Sequence, residues 1–229
     1  MSVGGESLQE DERGTRERLL GAAFEALEGG GVESLRARDL TKRIDASTMA
    51  LYTHFGGMPG LVDALVRDGL KRFAEHIRAF APQSDDPLKD LISGGVAYSA
   101  FALANPQLYR LMFGLGDAGK LRGFGSEVEA GQATWSMAEG VDAFSVLLRS
   151  VERGIEAGIF WNQDATAAAT QILTATHGYV LLLIGGFIGD PEAATRDVAI
   201  PLNVALLAGL GADREQDESA IGAALSRLG

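Results

Sequence analysis

Residues 35–65 read LRARDLTKRIDASTMALYTHFGGMPGLVDAL, and the fold follows from how this stretch is parsed. Leu35, Leu40 and Ile44 recur at near-helical spacing, so they predict a short helix with one buried face. Asp45-Ala46 is a tight turn, and Ser47 can cap a third helix carrying Met49, Ala50, Leu51 and Tyr52 that ends near Phe55. Gly56-Gly57 breaks the chain again, and Pro59 falls in the first turn of a fourth helix, where its missing N–H costs nothing. Leu61, Leu65, Leu70, Phe73 and Ile77 mark the inner side of that helix. Upstream, Leu19, Leu20, Ala23, Phe24 and Leu27 form an apolar stripe closed by Gly29-Gly30-Gly31, and Ser34 can cap helix two. Two short helices joined by a tight turn and braced by helix one predict a helix-turn-helix.

In that arrangement the second member of the pair lies in the DNA major groove, about 12 Å wide. Its leading side chains must be slender, and here they are Ser47, Thr48, Met49 and Ala50. Tyr52, Thr53 and His54 can meet phosphates further along, while Arg36, Arg38, Lys42 and Arg43 cluster on or beside helix two. By periodicity alone, ordinary short helices with a solvated basic face explain the segment equally well. Net charge is −11, but it is divided. Arg13 to Phe80 holds 11 Lys and Arg against 9 Asp and Glu, leaving 9 basic and 22 acidic residues elsewhere. A mildly basic first third on an acidic body is a weak pointer to nucleic acid.

The same segment resembles the DNA-binding domain of TetR-family regulators. The resemblance is carried by Leu51-Tyr52-Thr53-His54-Phe55, the Gly56-Gly57 break and Leu61, and covers about the first 80 residues. It implies that Tyr52 and His54 touch phosphates, that Thr48 and Met49 face bases, and that Leu51 and Phe55 are core. It also implies a homodimer on a double-stranded operator, most simply a repressor released by a small effector. Three positions depart from the family pattern: Arg36 where a threonine often caps helix two, Asp45 where the turn often has glycine, and Met58 near which a lysine often follows the break. Further on, the run from Asn105 to Phe113 and Thr176-His177-Gly178 resemble a TetR subgroup with a Trp-His-Gly signature, Thr176 standing for the tryptophan.

The rest of the chain is also helical in pattern, with segments expected at 87–104, 107–113, 127–158, 165–187 and 191–210, the last bent at Pro201. The expected fold is all-α, about nine helices. Residues 1–12 are expected to be a disordered acidic arm, 13–58 the helix-turn-helix, 58–80 the linking fourth helix, 59–212 a ligand-binding and dimerising body, and 213–229 a charged tail. Helix 165–187 is apolar or small nearly all round, so it must be buried all round. With the last helix it suggests a four-helix dimer interface including Ala168, Ile172, Tyr179, Leu183, Leu202 and Leu206. A pocket is expected among Phe101, Leu108, Met112, Trp135, Phe144, Leu148 and His177, although plain core packing accounts for each of them too. The apolar lining points to a hydrophobic or aromatic effector.

Composition excludes several chemistries. With no cysteine there is no disulfide, thiolate metal site or cysteine nucleophile. His54, His76 and His177 are far apart in sequence, and the carboxylate pairs Glu127/Glu129 and Glu152/Glu156 lack the histidine a di-metal bundle needs. Gly29 to Gly31 has no phosphate-loop lysine. No enzyme, cofactor or metal is expected. The polar acidic start does not read as a secretory signal, and Val180 to Ile188 is too short to span a bilayer, so the expectation is a soluble, cytoplasmic chain without a membrane partner. The competing reading is a helical small-molecule-binding or scaffold protein that no longer touches DNA.

Overall fold

The computed structural model describes residues 3–114 and 137–213, with side chains from Gly14 onward. Among the described residues there are nine helices and no strand. They are α1 (Val3–Gly30), α2 (Ala37–Arg43), α3 (Thr48–Phe55), α4 (Met58–Phe80), α5 (Pro87–Ala104), α6 (Pro106–Met112), α7 (Ala138–Glu156), α8 (Ala165–Ile184) and α9 (Pro191–Leu210). The expected all-α fold is the fold observed. Trp135, the glycine-rich segment after Gly114, the start of the helix expected from 127, and the tail beyond Asp213 lie outside the described residues.

The chain forms two compact units, drawn differently from the expected boundary at 58. Met1–Leu70 and Asn105–Met137 make the first; Lys71–Ala104 and Ala138–Gly229 make the second. Helix α4 contributes residues to both, and α6, expected in the body, belongs to the first.

In the first unit α1 is the brace. Its inner stripe, Leu19, Ala23, Phe24 and Leu27, is buried, as are Leu40, Leu51, Leu61 and Leu65 from α2 to α4. The helix starts at Val3, so the segment expected as a disordered arm is helical. That segment has no apolar stripe, but Gln9, Glu10, Glu12 and Arg13 are good helix formers, and extending an anchored helix adds one bond per residue fixed. Ser34 does not cap α2. Its hydroxyl lies 2.5 Å from the Ala26 carbonyl and 2.6 Å from that of Gly31, so it donates at the C-terminal end of α1, while Arg36 occupies the α2 N-cap without a side-chain bond. Leu108 and Met112 of α6 close over Gly69, where a Cβ would stand 2.9 Å from Leu108 Cδ1.

In the second unit α5 packs on α7 and α8, and α8 on α7 and α9. The core is built from Leu88, Leu91, Ile92, Val151, Phe160, Ile172, Val204 and Leu207. Asp164 caps α8 as expected, Oδ1 accepting from the Thr166 and Ala167 amides at 2.8 and 3.2 Å. The bend expected at Pro201 is a π-helical stretch, Thr195–Ala199, just upstream, with Pro201 in the first turn of the α-helical segment that follows. The proline-bounded stretch 82–87 is pinned. Arg153 bridges to Asp90 at 2.7 Å and donates to the Ser84 carbonyl, while the Ser84 amide and hydroxyl both donate to the Asp90 carboxylate.

Helices α8 and α9 are each long and apolar enough to cross a membrane by length and composition. Both bury residues in the protein core, and their outer faces carry Thr166, Thr170, Gln171 and Thr174 on α8 and the Arg196–Asp197 ion pair on α9.

Candidate nucleic-acid interface and effector site

Two contacts from α1 hold the α2–α3 pair. The Arg18 guanidinium donates to the Ile44 carbonyl at the end of α2, and Arg16 lies over the Phe55 ring, 5.1 Å from its centre. Neither role is visible in the sequence pattern, because both arginines sit on the polar side of the stripe. Asp45 takes φ +54°, so the turn uses the left-handed conformation for which glycine is the easier residue. Ser47 is the N-cap of α3, but its hydroxyl makes no cap bond.

The surface that results is sorted by the helix period. Leu51 is buried, and Ala50 and Phe55 pack against Leu19, Ala22 and Ile44. Ala50, expected among the slender outward residues, is therefore half-buried support. Ser47, Thr48 and Thr53 are exposed, His54 is half-buried, and Met49 and Tyr52 stand 68% and 62% exposed. On α2 and its N-cap, Arg36, Arg38, Lys42 and Arg43 are all exposed, with Arg36 Nε donating to the Glu33 carbonyl at 3.2 Å. Of the expected DNA-facing set, every residue but the half-buried Ala50 and His54 is thus exposed.

The expected pocket residues divide between the two units. Leu108 and Met112 are fully buried in the first unit. In the second unit Phe144 and Leu148 are half-buried against the core, Phe101 is buried, and His177 is half-buried. A hydrogen bond of 2.9 Å joins Tyr98 Oη to His177 Nδ1; with the ring neutral and Nδ1 unprotonated, the phenol donates. Burial pushes the His177 imidazole below its usual value, which favours that neutral form. Phe73 meets Tyr98 and Phe101 edge-on at 4.9 and 5.2 Å, and His76 lies 5.7 Å from Phe101. His76 Nε2 is buried and finds no hydrogen-bond partner among the described residues. The sequence offered His76 only as a candidate metal ligand, although it lies three residues from Phe73 and four from Phe80, on the same side of α4.

The expected dimer residues differ in exposure. Ala168, Ile172, Tyr179 and Leu183 are buried within their own chain, Ala168 and Ile172 in the core shared with α5 and α7. Leu206 is half-buried and packs on the same core, while Leu202 is 41% exposed. The apolar residues that face outward are Leu182 on α8, at 47%, and Val198 and Leu202 on α9, with Ala167, Ala205 and Gly209 also exposed. Periodicity could not choose among the faces of α8 because nearly all of them are apolar or small.

Among the described residues no group of three or more His, Asp or Glu could hold a metal ion. No curated protein sequence matches the chain. Many solved structures resemble it, three of which follow. A protein of unknown function from Rhodococcus sp. RHA1 is 26% identical, with a TM-score of 0.69, covering 86% of this chain and 95% of its own. A TetR-family transcriptional regulator from Pectobacterium atrosepticum is 22% identical, with a TM-score of 0.68, covering 89% and 97%. RolR in complex with resorcinol is 16% identical, with a TM-score of 0.62, covering 93% and 95%. The sequence model of the tetracyclin repressor-like C-terminal domain matches residues 91–206, just over half of the chain. With a helix-turn-helix in front of that domain, the chain belongs to the TetR family of transcriptional regulators.

Proposed function

We propose that the protein is a cytoplasmic, homodimeric repressor that leaves its operator when a hydrophobic or aromatic small molecule binds its second unit. The observation that carries the DNA half is the exposure of Met49 and Tyr52 on a helix whose other face is anchored by Leu51. Large apolar and aromatic side chains held in water on a braced helix call for a partner surface. The exposed Arg38, Lys42 and Arg43 supply the phosphate contacts that give DNA binding its salt dependence. In this reading Ser47, Thr48 and Met49 see base edges, with Tyr52, Thr53 and His54 beside the backbone and Arg36 at the rim.

The effector half rests on the aromatic cluster of Phe73, Tyr98 and Phe101 with His76 and His177. A buried imidazole nitrogen that finds no partner among the described residues would offer such an effector a polar anchor beside these apolar rings. Dimerisation is assigned to the outer faces of α8 and α9 around Leu182, Val198 and Leu202. The polar groups on those faces suit a second protein surface better than lipid. Helix α4, whose residues belong to both units, is the natural element through which effector and DNA compete, since an effector shifts DNA affinity only by binding one state better.

The test is a gel shift with the DNA flanking the protein's own gene, at two salt concentrations. Steep loss of affinity with salt, and loss of the complex in the Tyr52→Ala/His54→Ala double variant with its melting temperature kept, is the expected result. Undiminished binding by that variant would remove α3 from the interface. The acidic balance of −11 and the absent lysine at Met58 favour one other reading, a helical small-molecule binder that has lost DNA. Raised melting temperature with an aromatic compound, and no complex with any duplex, would establish it instead.

A further inference from the structure

We infer that α3 reads its operator through thymine methyl groups, with Met49 as the specificity-determining side chain. The inference rests on the DNA-binding reading above and deepens it. It follows from what α3 contains and what it lacks. The helix is Thr-Met-Ala-Leu-Tyr-Thr-His-Phe, residues 48–55. It has no arginine or lysine to span guanine O6 and N7, no asparagine or glutamine to span adenine N6 and N7, and no carboxylate to accept from cytosine N4.

Several of its eight side chains are already committed. Leu51 is buried, Ala50 and Phe55 pack on the Leu19 cluster, and His54 is half-buried. The Thr53 hydroxyl donates to the Met49 carbonyl at 3.0 Å, which spends its proton within the helix. Thr48, Met49 and Tyr52 are left to face outward, with Ser47 just ahead of them. Met49 is the most exposed of the large apolar residues on the helix, and its thioether can offer a base edge little besides apolar contact. The apolar feature that B-DNA presents in the major groove is the C5 methyl of thymine. The nearby cations sit on or beside α2, at Arg38, Lys42 and Arg43, where they supply affinity rather than sequence. Methyl contacts, backed by the Ser47 and Thr48 hydroxyls, are the discrimination that this helix can offer.

The experiment uses the full chain and a duplex that the protein itself enriches from a random-sequence pool. Dissociation constants are measured for that duplex and for versions in which each thymine in turn is replaced by uracil, which removes only the methyl. One or two thymines per half-site are expected to matter, each weakening binding roughly fourfold, the value of one buried methyl group. Met49→Ala is expected to bind more weakly and to lose that discrimination, and Met49→Leu to keep it. Equal affinity for thymine and uracil duplexes, or a full uracil penalty retained by Met49→Ala, overturns the inference. Salt-steep binding that enriches no sequence also overturns it but leaves the DNA reading standing, whereas no binding to any duplex brings down both.

Discussion

At residue 60, in the first turn of α4, a Cβ would stand 1.7 Å from the Phe55 carbonyl oxygen and 2.9 Å from its carbon. No rotamer relieves a clash made by the Cβ itself with backbone, so the α3–α4 junction would have to open. Gly60→Ala is therefore expected to lower stability by at least about 2 kcal/mol in chemical denaturation. A change within about 0.5 kcal/mol would show that the junction is free to shift. Asp45 is the opposite case, a side chain where the backbone prefers none, at φ +54° and exposed. Asp45→Gly is expected to stabilise by about 0.5 kcal/mol, and Asp45→Val to destabilise by about 1 kcal/mol or more. A melting-temperature series reads the order directly, and valine ranking above glycine would refute the strain. The two sites also differ in legibility. Asp45 departs from the TetR pattern, so the sequence pointed at it. Gly60 answers to a carbonyl five residues back across a helix break, and nothing in the local sequence announces that contact.

Elements were read well where one residue decides a boundary. Pro87 opens α5, the helix stops before Asn105-Pro106, and Asp164 caps α8, each because a missing donor or a short acceptor side chain acts on its own neighbours. They were read poorly where a distant element decides. Ser34 caps α1 rather than α2, and the stretch 82–87 is a clip because Arg153, on α7, arrives at Asp90 and Ser84. That clip makes a pH prediction. Burial alone would raise the Asp90 carboxyl, but hydrogen bonds from Ser84 and the Arg153 guanidinium outweigh it and hold the group below its usual value of 3.8. A depressed acid contributes its stabilisation fully above the unfolded value and loses it as pH falls through the folded one. The stability gap between wild type and Asp90→Asn should thus be flat from neutrality down to about pH 4 and shrink below it. Arg153→Gln, which strands a buried carboxylate, should cost about 2 kcal/mol or more at pH 7. A gap that stays constant down to pH 2 would mean the carboxylate gains nothing from its charge.

For the molecule as a whole, the residues that α3 exposes were legible and those that α8 exposes were not, and the reason is chemical. On α3 the resemblance carried by Leu51-Tyr52-Thr53-His54-Phe55 implies Leu51 inside and Tyr52 outside, and their burial differs in that sense. Helix α8 offers no such contrast, and four of its expected contact residues turned out to fill its own core. The exposed residues then make the sharper proposal. Leu182 at 47% and Leu202 at 41% stand on two helices apolar enough to pass for membrane spans, with Val198, at 39%, beside Leu202 on α9. A two-fold axis through such a face sets each residue near its own copy or its neighbour's. Replacing Leu182 and Leu202 by glutamate would then bring like charges together twice in one apolar contact, an arrangement that costs several kcal/mol. Because both side chains point to water in the single chain, the same double variant should keep the protomer's helix content and unfolding midpoint at dilution. Light scattering is expected to give a dimer for wild type and a monomer for Leu182→Glu/Leu202→Glu. Operator affinity should fall with it, since one reader alone loses the second half-site. A double variant that remains dimeric and binds DNA unchanged would place the two-fold contact on another face of the second unit.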